Sequence, residues 1–416
     1  MIARPLPRPR SGSVTVALWL AFLAVSFYKM RAYGLDGRFW AEEGRDFFPA
    51  LIGSEAWRGI VFLYNGHLEL ATNLVVTLAT RVELASAPLV TTWLSWAVQA
   101  LPVGLLIHAR GLIGLSSPRA LLFVFATAAL PQSAEVWANS INLHFHLALL
   151  AGLIALLPTM GGRAAWGLRA LLLAAGLGGI PPNALLPVFV WRASRERSRE
   201  RGIQAGVLGV TTVLQLVLLA AQGFDLQGRD SVTSPLLLWM ALLAQHVVSP
   251  LLGMRLSGPV IGWFDVLHGG GGTAWALALA LSAASLAFMA RVARRGPDTA
   301  RAALAAAGSL AVFCVLTSLG NREVLVSTDV GGRYFYAPNL LLLVCLLLAV
   351  PPVRAPGWRL AVLVWVLFAL PGLKVYLGGP PWPEALARAR QAEATRIELW
   401  PAGWTMDLPA GYPALK

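Results

Sequence analysis

Three carboxylates crowd into one short aromatic stretch, Phe39-Trp40-Ala41-Glu42-Glu43-Gly44-Arg45-Asp46-Phe47-Phe48-Pro49. Carboxylates so placed suit two kinds of chemistry: removal of a proton from a hydroxyl, or coordination of a divalent cation. The flanking aromatics would hold the segment against a membrane surface. The competing reading is a solvated loop whose acids pair with Arg38 and Arg45. His67 and Glu69 follow in the same polar stretch and are candidates to line a pocket with the acids. Further along come Asn139, Asn142, His144 and His146. His144 and His146 are two residues apart and cannot share a helix face, so they do not form a metal pair. A contact to a sugar hydroxyl and a satisfied histidine at a helix terminus are the alternatives. Late in the chain, Gly331-Gly332-Arg333-Tyr334-Phe335-Tyr336-Ala337-Pro338 sets a guanidinium beside two phenols. A planar guanidinium there suits bidentate capture of a phosphate, and the alternative is an interfacial anchor that snorkels to the headgroups. Arg322 and Asp329 share that loop and offer a structural ion pair.

The elements that must carry these residues are membrane helices. Of the 416 residues, 57% are hydrophobic and 13% charged, and the mean hydropathy is +0.66, so too little polar surface exists to coat a water-soluble globule. Apolar runs such as 302–319 and 338–350 have no polar face, which excludes the alternating pattern of a transmembrane barrel. The net charge of +13 sits in short arginine clusters between apolar runs. That is the pattern of positive-inside topology rather than of nucleic-acid binding. Cys314 and Cys345 both lie within apolar runs and provide neither a disulfide framework nor a metal-ligand spacing.

Chain order then gives an all-α integral membrane protein of about ten or eleven transmembrane helices. Residues 14–30 form a retained first span, with Arg4, Arg8 and Arg10 placing the N-terminus in the cytoplasm. Residues 33–88 form a long first outer loop with amphipathic helices on the membrane surface. The apolar stretch 171–191 is interrupted by Gly178-Gly179-Ile180-Pro181-Pro182-Asn183. Paired prolines after paired glycines make a continuous helix costly, so two half-helices with a buried break are expected. Arginine parity keeps 236–253 and 263–267 on the outer side as re-entrant or interfacial helices. Residues 1–378 thus form the polytopic domain. Residues 379–416 are an outer tail whose Trp382, Trp400 and Trp404 suit the headgroup interface.

An acidic first outer loop directly after the first helix resembles the GT-C superfamily of membrane glycosyltransferases. More narrowly, Arg38 to Gly44 is similar to the Phe-Trp-Ala-Glu-Asp-Gly stretch of a group of bacterial polytopic proteins assigned to that superfamily. Leu63-Tyr64-Asn65-Gly66-His67-Leu68-Glu69 resembles its Tyr-Ala-Gly-Tyr-Leu-His element. Ile180-Pro181-Pro182-Asn183 resembles its Ser-Gly-Pro break, and Gly331 to Pro338 its Gly-x-Arg-Tyr-Phe-Phe-x-Pro element. The chain departs from the group in carrying Glu43 for Asp, Glu69 for His, and no Ser-Gly at the break.

The resemblance implies an inverting transfer of a sugar from a polyprenyl-phosphate donor to a glycan, lipid or protein acceptor. It places the chemistry on the extracytoplasmic face of the cell's inner membrane. Such a step needs a carboxylate to take the acceptor proton and positive charge to meet the departing phosphate. Glu42 or Glu43 is the expected base, with Asp46 third. Arg333, Tyr334 and Tyr336 are expected at the donor phosphate, and His67, Glu69, Asn142 and His144 at the substrate. No cofactor is required; a divalent cation held by Glu42, Glu43 and Asp46 is open, because a monophosphate donor does not demand one. The rival from another class is a transporter or flippase of a lipid-linked substrate, which would need ionisable residues at mid-span. A polymerase or ligase of lipid-linked glycans would need a large late outer loop, whereas the largest here is the first.

Overall fold

A computed structural model describes residues 12–223, 235–253, 272–318, 331–350, 356–374, 378–392 and 394–409. Arg322, Asp329 and the expected element 263–267 lie outside them. The described chain is helical apart from two small antiparallel hairpins, 63–64 with 67–68 and 396–398 with 405–407.

Six of the described helices are long and apolar enough to cross a membrane: Gly12–Met30, Ala87–Ala109, Arg199–Ala221, Pro235–Gly253, Gly272–Arg295 and Asp298–Thr317. In this coarse sense the chain is a helical integral-membrane protein. Shorter apolar helices, among them Ser117–Ala129, Leu143–Leu156 and Arg333–Ala349, pack between them. Leu143–Leu156 is the axis of the bundle, since all but His144 of its residues are buried. Its two ends differ in chemistry. At one end His144 meets the first loop, ion-pairing distance from Glu69. At the other, the carbonyls of Ala155 and Leu157 accept hydrogen bonds from Arg192 and Arg201. The first is hereafter the loop end and the second the basic end.

The interrupted stretch behaves as its glycines and prolines dictate. Gly162–Leu177 stops, a tight turn follows over Pro181–Leu185, and a new helix runs Leu186–Glu196. Broken helices leave backbone carbonyls without partners, and in an apolar setting these must be satisfied. Asn183 does this: its amide nitrogen lies 2.8 Å from both the Gly176 and Gly179 carbonyls. Its amide oxygen accepts from Thr211 and Thr212 of the neighbouring helix. Gly179, at φ +143°, lies so close to His144 that an added Cβ would come 2.7 Å from the His144 Cβ.

Residues 236–253, which could span but which arginine parity puts on the outer side, are long and apolar enough to cross, and their polar contacts run to the loop end. There His246 meets Asn339, and Gln132 meets Ser249. Two of the tail's three tryptophans are packed inward rather than exposed as interfacial anchors. Trp382 and Trp400 are buried, packed edge-on against Phe39 and Tyr33 respectively. Tail and first loop are also zipped by backbone: Trp400 N–H donates to Phe39 O, and Ala41 N–H to Trp400 O. Burial of these aromatic faces is what holds the tail down, since each indole removes a large apolar area from water. The acidic segment of the first loop is accordingly an inner layer of the fold: Phe39, Trp40, Phe47 and Phe48 are all at or below 2% exposure, whereas Trp57 of the same loop is exposed.

Candidate functional site

The acidic stretch folds into a wide, π-type turn over Glu43–Phe47, a form that projects neighbouring side chains in divergent directions. Its three acids therefore meet three different environments. Glu43 is fully buried and turned inward. It accepts hydrogen bonds from Trp40 N–H at 3.0 Å, Ser140 N–H at 2.8 Å and the Ser140 hydroxyl. Burial pushes its carboxyl up, against the opposing pull of the Ser140 and Trp40 hydrogen bonds. With both oxygens engaged, Glu43 is a strut between the first loop and residues 138–142 and is less free than Glu42 to take a proton. Asp46 accepts two hydrogen bonds from Arg45 at 2.9 Å and one from the Tyr64 hydroxyl at 2.7 Å. Burial opposes its charge, but Arg45 and Tyr64 outweigh burial and hold the carboxyl below its ordinary range. This is the pairing with Arg45 that the residues alone allowed.

Glu42 differs from both. One of its carboxylate oxygens is buried and has no hydrogen-bond partner among the described residues. Its charge acts on Arg45, Tyr64 and Arg333. The three acids thus diverge, and among the described residues no group of three or more His, Cys, Asp and Glu side chains has the arrangement of a metal site. A cation held jointly by Glu42, Glu43 and Asp46 does not fit, because Glu43 faces Trp40 and Ser140 while Asp46 faces Arg45 and Tyr64.

Arg38 does not pair with the acids. It is buried in an aromatic cage, 3.9 Å from the Tyr33 ring centre and 4.3 Å from that of Trp40, and donates to the Trp137 carbonyl. A guanidinium tolerates such a cage because its weak hydration and flat faces suit aromatic stacking.

The hairpin Leu63–Tyr64/His67–Leu68 turns through Asn65 and Gly66, both at positive φ (48° and 77°), the conformation a two-residue hairpin turn requires. Its register sets Tyr64 opposite His67 and so joins the acidic turn to a second polar cluster. There Glu69 is buried; its Oε1 lies 3.0 Å from His67 Nε2 and 3.7 Å from His144 Nδ1, and its Oε2 lies 3.0 Å from the Thr72 hydroxyl. Burial disfavours the Glu69 charge, yet His144 and His67 outweigh it and bring the carboxyl to about 2. Burial likewise lowers His67, and Glu69 more than reverses this, so His67 titrates above its ordinary value.

Arg333 opens the helix Arg333–Ala349, with its guanidinium 5.5 Å from the Tyr334 ring centre. Its backbone N–H donates to Glu135 Oε2 at 3.1 Å, and Glu135 and Glu42 both act on its charge. Glu135 was missed from the sequence; the only signal was a single carboxylate in the polar stretch 132–142. Tyr334 packs on Phe145, next to His144. Two other expected residues have structural partners. Tyr336 is 1% exposed and donates to the Thr127 carbonyl 3.0 Å away, so its phenol is not available at a phosphate. Asn142 donates to the Glu135 carbonyl and to Asn139 Oδ1, which makes it a brace of the 132–142 loop rather than a substrate contact. His146 is buried, bonded to the Val136 carbonyl and packed on Tyr336.

Of the expected set, the structure brings together Glu42, Asp46, His67, Glu69, His144, Arg333 and Tyr334 at the loop end. It diverts Glu43, Tyr336 and Asn142 to packing. Such a cluster offers, at one end of the bundle, a carboxylate with an unpartnered oxygen, a guanidinium, and phenol and imidazole groups. Comparison with protein-family models, with characterised proteins and with solved structures gives no match to this chain.

Proposed function

We propose that this chain is a GT-C-type membrane glycosyltransferase that moves a sugar from a polyprenyl-phosphate donor to an acceptor on the extracytoplasmic face. The observation that carries the reading is the unsatisfied, buried oxygen of Glu42 within the field of Arg333. An orphan carboxylate oxygen of this kind costs about 1–3 kcal/mol. Such strain is kept where a ligand supplies the missing donor. An acceptor hydroxyl does so: it donates to Glu42, which takes the proton as the oxygen attacks the anomeric carbon. The phosphate leaves with its pair of electrons toward Arg333, whose backbone and charge are set by Glu135. Asp46, held ionised by Arg45 and Tyr64, keeps the surrounding charge constant. His67, His144 and Tyr334 offer hydrogen-bonding groups and a flat face for a sugar ring, with Glu69 holding the two imidazoles.

In this reading the basic end is cytoplasmic and the loop end extracytoplasmic, as the arginine distribution demands.

The test is transfer of radiolabelled sugar from a panel of polyprenyl-phosphate donors by the purified protein in lipid. Loss of the base in Glu42→Gln is expected to slow transfer about 10²–10⁴-fold with donor still bound. Arg333→Ala is expected to weaken donor binding. If no donor is consumed by the wild type and labelled lipid instead changes leaflet, the flippase reading takes the place of transfer.

A further inference from the structure

The basic end carries more positive charge than the protein itself neutralises. Three turns converge there: the start of Gly162–Leu177, the connection between Leu186–Glu196 and Arg199–Ala221, and the connection between Gly272–Arg295 and Asp298–Ser318. Ion pairs tie them together. Arg169 binds Glu200, Arg192 and Arg201 both bind Glu196, and Arg195 reaches Asp298 at 3.6 Å. Arg301 also binds Asp298, at 2.6 Å. Every carboxylate on these turns is thus already engaged. Arg163, Arg197, Arg199, Arg291, Arg294 and Arg295 are exposed, and none makes an ion pair or side-chain hydrogen bond among the described residues.

We infer that this surplus is a binding surface for anionic phospholipid headgroups. Depth argues for lipid over a dissolved anion. Arg199 begins one candidate span, and Arg294 and Arg295 end another, so the unpaired guanidinia stand where helix meets headgroup. Two tryptophans flank them, as at membrane interfaces. Trp166 is 69% exposed with Arg169 stacked on it at 4.7 Å, and Trp191 has Arg195 over it at 5.9 Å. A guanidinium fork binds the two free oxygens of a phosphodiester, and several forks on adjoining turns hold neighbouring headgroups in an annulus around this end. The paired arginines fix the turns; the unpaired ones face the lipid.

The full chain is reconstituted in vesicles of equimolar phosphatidylcholine and phosphatidylglycerol, and its preference for spin-labelled phosphatidylglycerol over spin-labelled phosphatidylcholine is measured. The wild type is expected to prefer the anionic lipid, less so as salt is raised. The variant Arg197→Gln/Arg199→Gln/Arg294→Gln/Arg295→Gln is expected to lose at least roughly fivefold of that preference, the effect of a single surface arginine. A control, Arg58→Gln/Arg396→Gln at the loop end, is expected to keep it. The melting temperature of each variant identifies any that has not folded, and if the quadruple variant fails, Arg294→Gln/Arg295→Gln is used in its place. An unchanged preference in a folded variant overturns the inference. So does displacement of the labelled lipid by inorganic phosphate but not by chloride at equal ionic strength, which would mark a site for a free anion.

Discussion

Glu42 and Glu43 are adjacent in the chain and opposite in circumstance, and Glu43→Gln separates them. The Glu43 carboxylate accepts from Trp40 N–H, Ser140 N–H and the Ser140 hydroxyl. Hydrogen bonds to a charged acceptor are worth about 1.5–3 kcal/mol each and neutral ones about 0.5–1.5. Glutamine keeps an oxygen toward Ser140, which weakens two bonds, and turns its NH2 toward the Trp40 amide, which replaces the third with two facing donors. Relief of the buried charge offsets part of this loss. The net expectation is a destabilisation of about 2–4 kcal/mol, seen as a fall on the order of 5 °C in melting temperature in detergent. Ser140→Ala removes only the hydroxyl and should fall less. The two changes should be non-additive, because they remove the same bond. Turnover per folded molecule should drop far less in Glu43→Gln than in Glu42→Gln. A Glu43→Gln protein with wild-type melting and lost turnover would refute the division of roles, making Glu43 the base and Glu42 its neighbour.

Two other outcomes follow from the same geometry. Gly179→Ala adds a Cβ 2.7 Å from the His144 Cβ at a φ of +143° that alanine rarely adopts. A loss of about 2–4 kcal/mol is expected by thermal melting, with His144 displaced from Glu69. The Glu69 pair sets a pH window. Glu69 lies at about 2 against an ordinary 4.5, so its stabilisation is present above 4.5 and lost as pH falls toward 2. His67 is raised above its ordinary 6.5, so its contribution is full below 6.5 and lost as pH rises through its folded value. Melting temperature should therefore decline on both sides of about pH 4.5–6.5, and Glu69→Gln should flatten both flanks.

The sequence by itself determined the solvent, the helices and their interruption. Apolar runs with no polar face must sit in lipid, and glycine and proline act on their own backbone, so the break at 178–183 was legible locally. The acidic loop and the Arg333 segment were legible as residue types able to do chemistry. Only the tertiary structure decided which acid is free. Glu43 is engaged by Ser140, 97 positions away, and Arg333 is oriented by Glu135, 198 positions away. The same holds for the tail, whose Trp382 and Trp400 have the composition of interfacial anchors and are buried on Phe39 and Tyr33 instead. Propensity and periodicity are properties of neighbours along the chain. The choice of hydrogen-bond and packing partner is made between segments that meet only once the chain is folded.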